Sequence, residues 1–336
     1  MSFSDPKVLV LGGNPGRWSA SERRHEAAVT NGIEAWVFAF DGDYSCGDAL
    51  SVSEIVNYDI VIGNLNAQYL DNHLTYLRSK PDAVKWVTLV EGNAAEYLKP
   101  NPKVKEILDA ADLVSVINSI SLDLFRSLTK TRVEYIGVPH PSEGIRALAT
   151  PIEHRREEVF LSSFLSSRQT DYLVAKQLDI PMVGCEPRLS RKLKTLPALW
   201  KKYGSFDPEY RIDKVKQYYN DSALRVLPEK PFKEYFTYYG ASYLWVNLDE
   251  RYTWGRNILD AAALQVPVIS TPSTVHQETL FPELMVSSAF AISEAVEIGK
   301  RLLNDMDFYR SVTDISLERL APFGHSAMKE KLLNYL

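Results

Sequence analysis

Residues 247–270 read NLDERYTWGRNILDAAALQVPVIS. The apolar run Tyr243–Leu248 that feeds into it reads as a buried strand, and the next eight residues are polar apart from Tyr252 and Trp254. Apolar side chains at helical spacing follow in Ile258–Leu264, and Val266–Ser270 is a second β-rich run. A strand, a loop, a helix and a second strand in this span form a βαβ unit, which pairs its strands in parallel and covers them with the helix. The loop between strand and helix also carries chemistry. Gly255 permits a close backbone approach, and Arg256 and Asn257 open the helix. A helix N-terminus presents unpaired amides and a positive partial charge, both suited to phosphate. Arg256 adds a charge-assisted donor. Asp260, one turn further, can accept hydrogen bonds from a ribose diol, although an acid near a helix start is also an ordinary helix residue.

The same rhythm extends outward in both directions. In the first half, Lys7–Leu11, Ala35–Phe40, Asp59–Gly63, Lys85–Val90, Leu113–Asn118 and Val133–Val138 read as short apolar strands. Tyr69–Leu77, Val104–Ala111 and Ser121–Leu128 read as helices between them, and Ser19 or Ser21 with Glu22 forms a capping signal for another. Pro139–Glu157 breaks the pattern with three prolines, a glycine and a charged cluster, and is the expected linker. The alternation resumes with strands at Val159–Ser163, Pro181–Gly184 and Leu224–Leu227, and with a helix at Asp171–Leu178. Helical spacing continues in Ser293–Leu303 and Phe308–Leu320, and Ser326–Leu336 is a last amphipathic segment. The expected architecture is α/β: two doubly wound domains, residues 1–146 and 147–321, facing a cleft, and a final segment 322–336 that packs back on the first. Ligands of such sheets bind beyond the carboxyl ends of the strands.

Composition narrows the class. The chain has 336 residues, 45% hydrophobic and 24% charged, which suits a folded two-core protein and excludes a disordered one. Its 43 acidic and 38 basic side chains give a net charge of −5, which argues against a general polyanion-coating protein. Two cysteines, Cys46 and Cys185, are too few for a disulfide framework and favour a reducing compartment. The first residues lack a basic region, and the apolar run there is short for a signal peptide. No window is long and apolar enough for a membrane span. A cytoplasmic protein without integral membrane contact is therefore expected. No histidine or carboxylate spacing suggests a metal site, and no phosphate-binding Walker loop or nucleophile elbow is present.

The 247–270 stretch resembles retaining glycosyltransferases of the GT-B fold, in particular the family that includes sucrose synthase and the mannosyl- and glucosyltransferases of glycan assembly. The shared features are Trp254-Gly255 in the loop, Asp260 at the second acidic position of the family motif, and Gln265-Val266-Pro267-Val268-Ile269 at the end. The first acidic position is Tyr252 here, with Glu250 two residues earlier. The resemblance implies that Asp260 binds the donor ribose, that Trp254, Gly255 and Asn257 lie against the donor, and that Glu250 takes over the missing acid's contact. It implies further that Ser163 and Arg168 occupy the family's two cationic diphosphate positions, with Arg168 and Arg256 neutralising the leaving group. Gly13 and Asn14, in Gly12-Gly13-Asn14, resemble the loop facing the donor phosphate, and Lys230 lies where the fold seats the nucleotide base. Glu91 stands where many members carry histidine and is placed with the catalytic groups.

The function implied is transfer of a sugar from a nucleotide-diphosphate sugar, with UDP favoured, to an acceptor hydroxyl. It would retain the anomeric configuration and need no metal or other cofactor. The acceptor is a glycan, a small molecule or DNA, and Arg17 and His140 are placed on its side. Two alternatives stand beside this reading. One is a phage-type DNA glycosyltransferase acting on a hydroxymethylated base, motivated by six basic residues and no acid between Arg188 and Lys202, and by Arg17, Arg23 and Arg24. The other is a binding protein that keeps the fold and has lost catalysis, motivated by Tyr252, Ser163 and Glu91 at family positions.

Overall fold

The computed structural model describes residues 5–65, 67–92, 94–165, 168–186 and 210–336. The basic run 188–202, and Ser166 and Ser167 beside Arg168, lie outside these residues. Among the described residues the chain folds into two α/β halves, each built on one mainly parallel sheet.

The first sheet contains β1 (Val8–Gly12), β2 (Arg17–Ser19), β3 (Asp43–Cys46), β4 (Ile60–Asn64), β5 (Lys85–Val90), β6 (Leu113–Val116) and β7 (Val133–Tyr135). Their order is β2-β3-β1-β4-β5-β6-β7, with only the edge strand β2 antiparallel. Strand periodicity places successive side chains on opposite faces. Val8 and Val10 accordingly enter one hydrophobic cluster, and Leu9 and Leu11 enter another on the far face. The second sheet contains β8 (Arg156–Leu161), β9 (Met182–Glu186), β10 (Leu224–Pro228), β11 (Ser242–Asn247) and β12 (Val268–Ser270), in the order β10-β9-β8-β11-β12 and wholly parallel. Its centre is aromatic. Phe160 stacks on Tyr239 at 4.0 Å and meets Trp245 edge-on at 5.0 Å. Tyr235, Phe236, Tyr239 and Tyr243 are all buried around this group and are core, while Phe232 at the start of the run is exposed.

Ala35–Phe40 is a helix, not the strand the sequence suggests. An unbroken apolar run carries no periodicity to separate the two. The helix ends at Asp41, whose left-handed backbone (φ 52°) turns the chain so that Gly42 N–H reaches the Val37 carbonyl at 2.8 Å. The second parallel strand is instead Asp43–Cys46, short and half polar, which masks it in the sequence. The capping signal at Ser19 also resolves differently. Ser19 N–H donates to Glu22 at 2.7 Å, but this closes a turn, and a three-residue 3-10 helix, Arg24–Glu26, follows.

The stretch between the sheets holds a short helix, Ser142–Arg146, and a 3-10 turn, Ile152–His154. The last helix, His325–Leu333, packs against the first half. Lys331 Nζ donates to the Ile136 carbonyl at 3.3 Å, Arg132 to the Tyr335 carbonyl at 3.4 Å, and Met328 is buried. Cys46 and Cys185 are buried and unbridged. Among the described residues no helix is long and apolar enough to cross a membrane.

Candidate functional site

The carboxyl ends of both sheets point into one seam, and the polar side chains that meet there come from loops following the strands. From the second half comes the helix Arg256–Ala263, capped by Gly255 at φ 71°. A left-handed backbone of this kind strains any residue with a Cβ. A Cβ here would also lie 3.0 Å from that of Thr274. The glycine is therefore required by the turn that aims the helix start at the first half. Arg256 reaches across, donating to Asn31 Oδ1 at 3.2 Å.

From the first half come the loops that follow β1, β4 and β5. After β1, Gly12 has no room for a side chain because the Tyr44 ring would lie 2.5 Å from its Cβ. The following Asn14 is exposed, hydrogen-bonds its backbone N–H to the Tyr44 hydroxyl at 2.9 Å, and gives its amide to Glu34. After β4, Asn64 donates to Glu91 Oε2 at 2.7 Å. Glu91 itself follows β5, close to Gly32 and Glu34. Burial, reinforced by the charge of Glu34, raises the Glu91 carboxyl to about 7, against the pull of Asn64 and of the Arg256 charge. A carboxyl titrating near neutrality is suited to taking or giving a proton at working pH.

Asp260 does not face open space. It is fully buried, and its Oδ1 accepts from His140 Nε2 at 3.0 Å and from Asn31 at 3.4 Å, while Arg256 lies 3.6 Å from Oδ2. His140 is equally buried and its other ring nitrogen meets Ser142 Oγ at 2.9 Å. The sequence places Asp260 on a donor ribose and His140 on the acceptor side. In this structure the two residues hold each other across the seam, because a buried carboxylate needs donors and His140, Asn31 and Arg256 supply them. Trp254 is likewise at the seam and 6% exposed, edge-on to His276 at 5.9 Å and against Gly137. Beside it Asn118 donates to the Thr253 carbonyl at 2.9 Å and the Ser273 carbonyl at 3.3 Å.

The cations divide into held and open ones. Arg168 is buried, and its guanidinium donates to Ser163 at 2.6 Å, Asn247 at 3.2 Å and Asp249 at 2.7 Å, with Glu250 3.4 Å away. Ser163 and Arg168 are together, but on a carboxylate of their own half. Arg251 shares Asp249 at 3.0 Å while its side chain is 55% exposed. Asp171 lies behind this group. It accepts from Leu248 N–H at 2.8 Å, and burial raises its carboxyl to about 6. Asn257 donates to the Ser162 carbonyl at 3.3 Å. Lys230, after β10, sits over the Tyr238 ring with Glu234 3.9 Å away. Arg17 is on β2, paired with exposed Glu54 at 2.6 Å, and no contact joins it to Glu91. Among the described residues no group of three or more histidine, cysteine or acidic side chains is placed to hold a metal.

The sequence did not single out Asn31, Glu34, Asn64, Asn118, Asp249 or Arg251. Only Asp249 and Arg251 carried a signal, since both lie in the loop of the deciding stretch. The others are polar residues at strand ends or beyond turns, which become visible once the sheet order is known.

No family model matches the chain, and no curated protein matches it by sequence. Solved structures do match over nearly its full length. A sucrose-phosphate synthase from Thermosynechococcus elongatus aligns with a TM-score of 0.65 at 16% identity, covering 97% of this chain and 97% of its own. An α,α-trehalose 6-phosphate synthase from Burkholderia multivorans gives 0.64 at 9% identity, covering 98% and 95%. An α-glucosyltransferase solved with UDP and a 13-mer DNA containing an HMU base gives 0.60 at 10% identity, covering 98% of each chain. The fold is GT-B. In GT-B terms the two halves are the facing domains, and the seam that holds Glu91 and Arg256 is the interdomain cleft.

Proposed function

We propose that the chain is a glycosyltransferase that moves a sugar from a nucleotide-diphosphate sugar, UDP favoured, to an acceptor hydroxyl. The observation that carries this reading is the meeting of Glu91, a carboxyl tuned to about 7 at a strand end of one half, with Arg256 at a helix N-terminus of the other. The donor diphosphate takes its place at Gly255–Asn257, where amides and the guanidinium of Arg256 offset its charge, with the exposed Arg251 nearby. Glu91 receives the acceptor's proton. Closure of the cleft keeps water from the donor. Retention of configuration and independence of a divalent ion are proposed on the resemblance of the 247–270 stretch.

A calorimetric titration with UDP, GDP and the corresponding sugar nucleotides tests the reading. Micromolar binding of at least one, followed by turnover of its sugar nucleotide, supports it; no response from any of them overturns it. A second reading, a GT-B protein that binds without catalysing, is favoured by Arg168 and Asp260 both being paired inside the protein. It is separated from the first by turnover, which it forbids. A hydroxymethylated DNA acceptor is motivated by the likeness to the DNA-bound α-glucosyltransferase and by the basic residues between Arg188 and Lys202. A gel shift on plain and hydroxymethylated duplexes at low salt tests it.

A further inference from the structure

A cavity of about 1050 Å³ opens beside Glu91 in the first half. That is at the upper end of the roughly 300–1,000 Å³ typical of small-molecule sites. Its wall is mainly apolar, Leu65, Val104, Leu108, Leu124 and Leu128 with the ring of Tyr97, and Glu96, Lys99 and Lys105 add charged side chains to the lining. The Tyr97 hydroxyl is already engaged, donating to the Leu65 carbonyl at 2.9 Å, so the residue offers its ring rather than its oxygen. Phe125 supports that ring edge-on at 5.3 Å. The same cavity is lined by Asn64 and Glu91, the pair that faces the interdomain cleft. Among the described residues, Glu91 Oε1 carries no hydrogen bond, while Oε2 is held by Asn64. Leu98, 68% exposed, lies on the rim. A mainly apolar wall that reaches the Glu91 carboxyl at the cleft matches a molecule with an apolar body and one hydroxyl.

We propose that this cavity is the acceptor site and that the acceptor is an alcohol with an apolar body, its hydroxyl placed at Glu91. The proposal rests on the glycosyltransferase reading above. The transfer forms a bond from the alcohol oxygen to the sugar's anomeric carbon and breaks that carbon's bond to the diphosphate oxygen. UDP leaves, and the alcohol's proton passes to Glu91 and then to water.

The test is a calorimetric or NMR titration of the full chain with straight-chain primary alcohols from butanol to octanol, alongside a separate titration with UDP. Burial of each methylene should tighten binding about fourfold. Leu128→Trp, which adds bulk to the cavity wall, should weaken octanol more than butanol. Leu98→Asp, at an exposed position that does not threaten the fold, should weaken octanol several-fold. With UDP-glucose or another accepted donor, octanol should yield the octyl glycoside, and Glu91→Gln should lower the yield at least tenfold while octanol still binds. UDP binding without any chain-length dependence overturns the cavity as acceptor site and leaves the glycosyltransferase reading standing. Chain-length-dependent binding without a response to any nucleotide overturns the glycosyltransferase reading, and with it the acceptor role. Preference for a sugar phosphate or hydroxymethylated DNA over octanol in turnover also overturns the proposal.

Discussion

Asp260→Ala separates two roles for one carboxylate. In the structure Asp260 and His140 are both fully buried and 3.0 Å apart, with Asn31 and Arg256 as further donors. Removing the acid leaves His140 Nε2 and the Asn31 amide without this acceptor, in a place water does not reach. Breaking a buried pair in this way costs about 3–5 kcal/mol. For a unit of this size that corresponds to a fall in melting temperature of roughly 6–15 °C. Asp260→Asn keeps the shape and one accepting oxygen, and should cost only about 1–2 kcal/mol. In the double variant Asp260→Ala, His140→Ala, the second change removes a group that is already unpaired. The two effects should therefore fall short of additive by about 1–3 kcal/mol. Urea denaturation of five proteins, the parent, Asp260→Ala, Asp260→Asn, His140→Ala and the double variant, measures all of this, and UDP titration of the same samples supplies the control. Wild-type stability in Asp260→Ala together with lost UDP affinity would refute the reasoning and return Asp260 to the donor ribose.

Four further outcomes follow from the same geometry. Glu91 titrates near 7 in the folded chain against an ordinary value of 4.5, so the protonated form is favoured by folding. Its contribution is fully present below pH 4.5 and is lost as pH rises through 7, a swing of up to about 3 kcal/mol. Glu91→Gln should remove that swing, gaining stability over the parent at pH 8 relative to pH 5, and a pH-independent difference in urea midpoint refutes it. Gly255→Ala should cost roughly 1–3 kcal/mol by thermal melting, because φ is 71° and the new Cβ meets Thr274 at 3.0 Å. Arg168→Ala, which takes one donor from Asn247 and leaves buried Asp249 to Arg251, should destabilise by about 1–3 kcal/mol. Arg251→Ala, at an exposed position, should leave stability within about 1 kcal/mol and weaken UDP roughly tenfold, the loss of one charge-assisted hydrogen bond.

The parallel α/β architecture was legible because β1, β5 and β11 are nearly continuous apolar runs between turn signals, β8 ends in one, and the helices after them keep their spacing. Ala35–Phe40 was not, since six apolar residues in a row fit a buried strand as well as a buried helix, and its packing against the C-terminal helix decided the matter. The site was legible in its elements and less so in its contacts. The helix after Gly255 and the carboxyl end of β5 lie where the sequence put them. Which partner each side chain takes depends on how closely the halves approach. That closeness gives Asp260 to His140, while Arg168 meets Asp249 within the second half. The Glu34–Glu91 proximity had no sequence signal, because 57 positions separate the residues and only the sheet order brings them together.

The chain crosses between the halves twice, once after Val138 and once before the last helix, and the crossings touch: His140 N–H donates to the Phe323 carbonyl at 2.8 Å. The second half is therefore inserted into the first, with both entry and exit at one point. Lys329 lies 3.7 Å from Asp5, so the first half gathers both ends of the described chain. Cutting the gene in the middle would yield no intact first half, because the N-terminal piece would lack the helix His325–Leu333 that covers it. Excising the insertion and joining residue 138 to residue 322 through a short linker is the division the connectivity allows, since domain insertion leaves neighbouring ends to be rejoined. The excised piece then begins and ends at neighbouring points, so it can be circularised or carried as a loop by another protein.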